Sequence, residues 1–510
     1  MNLKEWFFPL ALAMSITFFV QYFMGPEYNT AKKDNGVSGQ SFVAPDLQQA
    51  QKPLLLDFDL KSKEEVTEDR HIVKTGLATY VFSSKGAILE SLEFVWQQGS
   101  KNVEMVQGSQ NCFLLGLSEE APLNYRFEGE SKFKDGVVVT YKAEYKQGDI
   151  VKAFTVYDNS YQVDLKVSID SGSKKQGSAE QIRLLLPMPM SLDDDLKAFK
   201  NKATSKQGVA LQDIDLAKQS KEFVFEPKAF GFTSKFVLQS FVKSVDGEYP
   251  LRGYFKPVTG KQYDAILESK PFDQVQKINW SFYFGPKTEA SLKAVDPYLI
   301  QTLDYGWLTF IAKPMLLMLN MLKDKLGSYG WAIILLTLLL KLLLLPFTLR
   351  GEKSMRQQAE MQKKLAYVRQ KYKNDKAALD AATAELIKKH GVPGFSGCLP
   401  MLLNIPFFVS LQRILSSSIE LYGASFLWMS DLSVADPYYI LGVLTGVCML
   451  FTPMGNDSKQ AAMRVGMAMF LGTITLYFPA GLALFIFMNT LTSLFQSLIT
   501  KSKVVSRVIG

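Results

Sequence analysis

The chain has 510 residues, 47% of them hydrophobic and 21% charged, with a net charge of +8. The apolar residues gather at the extreme N-terminus and after about residue 330, whereas 55–290 reads as ordinary water-exposed sequence with two-residue alternation. Three cysteines are too few for a disulfide framework, metal-ligand spacing is absent, and two histidines leave little material for histidine-based catalysis, so neither a metal nor a cofactor is expected.

In chain order, Trp6 to Met24 is an apolar run close to the ~20 residues needed to cross a bilayer. Phe23-Met24-Gly25 is a poor cleavage pattern, so residues 1–24 are expected to stay as an anchor rather than leave as a signal peptide. Residues 25–54, rich in Asn, Gln, Ser, Gly and Pro, have the composition of a flexible tether. From Thr79 the pattern predicts strands, at Ile88 to Val95, Ala153 to Tyr157 and, after an Asp158-Asn159 turn, Tyr161 to Ile169. Runs at Glu222 to Phe225, Phe236 to Val242 and Ile278 to Phe284 continue it, and 55–290 reads as a large antiparallel β-sandwich.

After Pro286 the period becomes helical. A short helix begins at Ala290 to Ala294, and Trp307 to Leu326 mixes Phe310, Leu317 and Met321 with Lys313, Lys323 and Pro314. That mixture predicts an amphipathic helix in the outer interface within 291–327. Five spans follow within 328–500, at 331–348, 399–421, 438–453, 462–478 and 482–500. With the anchor this makes a multi-pass α-helical membrane protein of six transmembrane helices. The 350–389 loop holds eleven Lys and Arg against five acids, and Tyr422 to Pro437 holds none. Positive charge marks the cytoplasmic side, so both termini, including the basic tail 501–510, should be cytoplasmic and the β domain periplasmic.

Lys341 interrupts its span roughly 10 Å from the cytoplasmic end at 1.5 Å per residue. A charge there costs at least ~2.5 to 3.5 kcal/mol on insertion scales. Thr337 and Thr348 share its helical face, which should line a water-accessible space; snorkelling to headgroups is the alternative. Asn404, Gln412 and Arg413 on the second span and Asn489, Thr492, Ser493 and Gln496 on the last could face the same space, or simply join helices. Arg413 and Glu420, seven apart, read as snorkelling or paired structural groups on one face. The 350–392 segment reads as a helical hairpin broken at Asn374-Asp375. Its basic face, with Arg356, Lys363, Lys364, Arg369 and Lys371, could meet ribosomal RNA, anionic lipid or acidic protein, or act only as a topology signal. Met449, Met454, Met463, Met467 and Met469 offer either an adaptable apolar surface or core filling.

Five segments carry a resemblance by their order and spacing. They are Asp304-Tyr305-Gly306-Trp307, the span Trp331 to Pro346 with one basic residue, Gly397-Cys398-Leu399-Pro400, Asp436-Pro437-Tyr438-Tyr439-Ile440 and Phe478-Pro479-Ala480-Gly481-Leu482. Together they resemble the YidC, Oxa and Alb insertase family, and the anchor with its β domain resembles the Gram-negative form. The resemblance implies a non-enzymatic insertase and chaperone of the bacterial inner membrane, with a five-helix core and a positively charged groove open to cytoplasm and lipid. It implies nascent membrane proteins, the ribosome, Sec translocon components, the signal recognition particle receptor and the lipid bilayer as partners, and no small-molecule substrate. Family members usually carry arginine in the groove; Lys341 keeps the charge but loses the guanidinium fork. Thr337 falls on the matching groove position, and Ile474 and Phe485 on positions the family places against the client helix. A transporter or channel is the main rival, but no internal repeat is visible. A sugar-binding β-sandwich on an anchor lacks a carboxylate pair placed by sequence.

Overall fold

The computed structural model describes residues 69–501 except 97–100, 107–110, 118–122, 171–180, 190–196, 204–208, 215–222, 259–262, 273–274, 304, 306–307, 373–375, 391–398 and 453–457. The expected anchor, the tether and the tail beyond Lys501 lie outside the described residues.

Alternation makes the strands. In Gln162–Asp170 the residues Val163, Leu165, Val167 and Ile169 are buried, while Asp164, Lys166 and Ser168 between them are not. The strands among the described residues pair antiparallel, in three sheets. Four strands, Arg70–Lys74, Ala78–Ser83, Ile88–Trp96 and Lys101–Val106, pair in chain order. A five-stranded sheet runs Val224–Phe225, Arg252–Pro257, Tyr263–Glu268, Arg183–Pro187, Leu115–Gly116. The largest sheet has nine strands, from Val209–Ile214 at one edge, through the central Val275–Pro286 and Gln162–Asp170, to Arg126–Phe133 at the other. Aromatic rings fill the space between sheets: Phe113 meets Phe282 edge-on at 4.8 Å and Phe284 at 5.4 Å, and Trp280 is fully buried.

A charged side chain sits in that core. Lys152 is wholly buried, and its Nζ donates to the carbonyls of Gly86 (3.0 Å), Ala87 (2.5 Å) and Phe113 (2.8 Å). Ala87 and Phe113 have positive φ, 43° and 66°, so the lysine ties down two turns held in a costly conformation. Burial pushes the ammonium down to about 7. Three acceptors pull its proton back, because a neutral amine has only two N–H groups to give.

The helices begin at α1 (Glu289–Val295), capped by the Thr288 hydroxyl, which accepts from the Ser291 amide at 3.1 Å. Asp296 ends α1 and caps the following 3-10 turn Pro297–Thr302, accepting from the Tyr298 amide at 2.8 Å. Next, α2 (Thr309–Leu326) stops at Gly327, whose φ of 71° suits glycine. It buries Ala312, Met315, Leu316 and Leu319 and exposes Phe310, Leu317 and Met321.

The sequence reading separated the 331–348 span from the cytoplasmic hairpin; the structure joins them. A single helix α3 runs Tyr329–Lys371, 43 residues or roughly 64 Å. Gly351 costs only about 1 kcal/mol among good helix formers, and Pro346 is accommodated inside the helix. The hairpin returns as α4 (Lys376–His390). Then come α5 (Leu399–Ser417), α6 (Ile440–Phe451), α7 (Ser458–Leu476) and α8 (Ala480–Lys501). Because α5 stops at Ser417 and Glu420 belongs to a separate 3-10 turn, Ile419–Leu421, Arg413 and Glu420 do not share a helical face. Tyr329–Leu349 and Ala480–Ile499 are long and apolar enough to cross a membrane, and Ile440–Phe451 and Ala461–Leu476 are shorter apolar helices. The second core forms where α3, α5 and α8 meet, around Ile333, Leu336, Leu411, Ile414, Leu482 and Ala483.

Candidate functional site

Three helices enclose a narrow cleft of about 30 Å³, room for about two water molecules. Thr337, Leu340, Lys341 and Leu344 line it from α3, Phe407 and Phe408 from α5, and Phe485 and Asn489 from α8. The 3.6-residue period places 337, 341 and 344 on one side of α3. Lys341 is half-buried, and its Nζ donates to Ser493 Oγ at 2.7 Å. Ser493 in turn donates to the Asn489 carbonyl at 2.8 Å, so its hydroxyl presents a lone pair to the ammonium. Thr337 is buried and donates to the Ile333 carbonyl at 2.7 Å. Its oxygen therefore has only acceptor capacity left. Seven residues inward of Lys341, Gln496 Nε2 donates to Thr348 Oγ1 at 3.2 Å, a second polar tie between α3 and α8. Opposite these, Phe408 rests on Phe485, their rings 6.1 Å apart.

The outer end is closed by the loop between α5 and α6. Phe426 meets Trp331 edge-on at 5.4 Å and covers Gly330 so closely that a Cβ there would lie 2.0 Å from its ring. The carbonyls of Val434 and Leu432 accept from the amides of Ala480 (2.6 Å) and Gly481 (2.9 Å), clamping the loop to the start of α8. Asp436 accepts from Trp428 Nε1 at 3.0 Å and from the Leu441 amide at 2.8 Å, which ties the loop to α6 as well. These contacts satisfy free amides at helix starts, the groups most in need of partners.

Of the residues singled out from sequence, Lys341, Thr337, Asn489, Ser493 and Phe485 thus come together. Gln412 is buried, and its Oε1 has no hydrogen-bond partner among the described residues. Thr492 donates within its own helix, to the Met488 and Asn489 carbonyls. Arg413 on α5 and Ile474 on α7 are half-buried. None of these four lines the cleft. On the inner part of α3, Lys364, Arg369 and Lys371 are exposed; the side chains of Arg356 and Lys363, like that of Asn404, lie outside the described residues. Among the methionines Met449 is buried and Met463 and Met469 are exposed, while Met454 lies outside the described residues. The sequence reading missed Leu340, Leu344, Phe407 and Phe408, because an all-apolar run does not reveal which of its faces lines a space. Among the described residues no cluster of His, Cys, Asp and Glu could hold a metal ion.

Comparison with known proteins supplies the family. Residues 70–318 match the model of the YidC periplasmic domain, and residues 321–507 match that of the 60Kd inner membrane protein. A membrane protein insertase YidC of Geobacter metallireducens is 33% identical over 363 residues, 69% of this chain and 67% of that one. The chain belongs to the YidC membrane protein insertase family. The YidC of Wolinella succinogenes is 28% identical over 525 residues, covering 96% of this chain and 93% of its own. That of Campylobacter jejuni is 41% identical over 220 residues, 42% of each chain. A crystal structure of an active YidC insertase with its first transmembrane domain resolved overlays only loosely, with a TM-score of 0.40 at 19% identity, covering 86% of this chain and 93% of that one. The two family regions meet inside α2, so the sheets and α1 belong to the YidC periplasmic domain and α3 to α8 to the membrane insertase region.

Proposed function

We propose that this chain inserts transmembrane segments of newly made proteins into the bacterial inner membrane and helps them fold, without covalent chemistry. Family membership supports the activity. The single observation that supports its location is the Lys341 ammonium held on Ser493 in a cleft whose outer end is shut. An ammonium at this depth is too costly to leave against lipid tails, so a wet, inward-facing position is its stable place. A client's short polar terminus would find water and a positive charge part-way across. Its apolar helix would then leave past Phe485 and Ile474, driven by partition of apolar residues into lipid.

We read α3, α5, α6, α7 and α8 as five spans and residues 1–24 as a sixth, with both termini cytoplasmic. On this reading α2 lies in the outer interface, its exposed Phe310, Leu317 and Met321 toward lipid. The basic inner arm of α3 is then placed to meet the ribosome or the signal recognition particle receptor, and the β domain to meet Sec translocon components.

The test is insertion of single-span clients by the purified chain in proteoliposomes. Lys341→Ala should impair clients with acidic translocated tails most, and Lys341→Arg should restore them. Equal loss for all tails, or none, would count against charge attraction as the step that Lys341 serves.

A further inference from the structure

One short turn belongs to both hydrophobic cores. It follows α5 directly, the Ser418 amide still donating to the Ile414 carbonyl at 2.9 Å. Ile419 is wholly buried in the core of the β domain, in one cluster with Leu292 and Val295 of α1 and with Leu299. Leu421, two residues on, is wholly buried in the helical core with Ile333, Leu411 and Leu482. Tyr422 turns back to the β domain, its ring 5.4 Å from that of Phe236. A 3-10 turn has three residues per turn, so positions 419 and 422 eclipse on one side while 421 faces another.

The surface that receives the turn is stiff. Both ends of α1 are capped, Lys243 Nζ donates to the Val295 carbonyl at 3.3 Å, and the Lys287 amide donates to the Phe236 carbonyl at 2.8 Å. The helix that hangs from the turn is held differently. Polar bonds tie α3 to α8 through Lys341 and Gln496, and among the described residues Phe408 of α5 packs on Phe485 of α8. Packed apolar helices slide past one another with small shear motions. The height of α5 is therefore set where it is anchored.

We infer that Ile419 and Tyr422 are positioning residues for insertion: by docking on the β domain they fix the outer end of α5, and with it Phe407 and Phe408 on the cleft wall. Phe408 lies eleven residues inward of Ile419, roughly 16 Å along a helical path. A displacement at the turn thus reaches the cleft through a single element. This inference rests on the reading of the cleft as the insertion path.

The test uses the full chain in proteoliposomes with its three native cysteines replaced. Spin labels go on exposed Val245 of the β domain and exposed Val434 of the outer loop. The distance distribution between them is recorded beside insertion of a single-span client. Truncating a buried isoleucine moves a docking equilibrium by on the order of thirtyfold or more. The double variant Ile419→Ala with Tyr422→Ala should therefore broaden the distribution and lower insertion, and Ile419→Val should retain both wild-type behaviours. Phe236→Ala removes the ring that Tyr422 meets on the β-domain side and leaves the membrane helices untouched. It should give the same pair of changes. A broadened distribution with full insertion would overturn the positioning role, as would loss of insertion with a distribution that stays narrow. Failure of the wild-type chain to insert the client in these vesicles would instead overturn the insertase reading.

Discussion

Gly330→Ala is the smallest change that tests the outer seal of the cleft. Gly330 sits in the first turn of α3 beneath the ring of Phe426, and a Cβ would lie 2.0 Å from Cγ and 2.1 Å from Cδ2. Carbon atoms in contact need about 3.5–4.0 Å, so the ring must retreat by roughly 1.5 Å or more. It has little freedom to do so, being 5% exposed with Trp331 edge-on against it. Overpacking of this kind costs about 1–3 kcal/mol, and expelling the ring altogether would add up to about 3 kcal/mol of lost burial. Two readings should follow the change in nanodiscs: a lower melting temperature, and faster reaction of a Thr337→Cys thiol with a membrane-impermeant maleimide added from the outer side. Unchanged melting together with unchanged labelling would refute the seal.

The remaining predictions concern buried charge. Lys152→Met keeps the apolar stem but strands three buried carbonyls, so chemical denaturation at pH 7 should show a net loss of about 1–3 kcal/mol once relief of ammonium burial is counted. Burial holds the folded-state value of Lys152 below the 10.5 of the free side chain, so wild-type stability should rise from pH about 7 toward 10.5, a slope absent from Lys152→Met. Ser493→Ala removes the hydroxyl that accepts from Lys341. With Lys341→Ala it should give a coupling of about 1.5–3 kcal/mol in a double-mutant unfolding cycle, and simple additivity would argue against the bond.

What could be read from sequence followed from how local each signal was. The strand over Gln162–Asp170 was visible because its alternation is complete within nine residues. Lys341 was visible because a single charge in an apolar run has few explanations. That the 331–348 span and the first arm of the hairpin form one helix was not visible, for the opposite reason. A change from apolar to basic sequence near residue 350 marks a membrane boundary, not a helix end, and nothing in the backbone of α3 stops there. Glu420 looked like a helical neighbour of Arg413 because the stop at Ser417 carries no glycine or proline. Phe407, Phe408, Leu340 and Leu344 could not be distinguished from their apolar neighbours, since which side of α5 or α3 faces the cleft depends on how the helices pack. Lys152 was hidden too. On an alternating strand it occupies an inward position that ordinarily excludes lysine, and only the tertiary approach of residues 86, 87 and 113 gives it partners.

The central claim is that a client's polar terminus is received at this cleft while its apolar helix leaves past Phe485 of α8 and Ile474 of α7. The most direct measurement places a photo-crosslinking amino acid at Phe485 and, separately, at Ile474, in membranes presented with ribosomes stalled on a single-span client. Crosslinks that appear only after the client's apolar segment has emerged are the expected result. Silence at both positions in a folded chain that still inserts the client would contradict the proposed path.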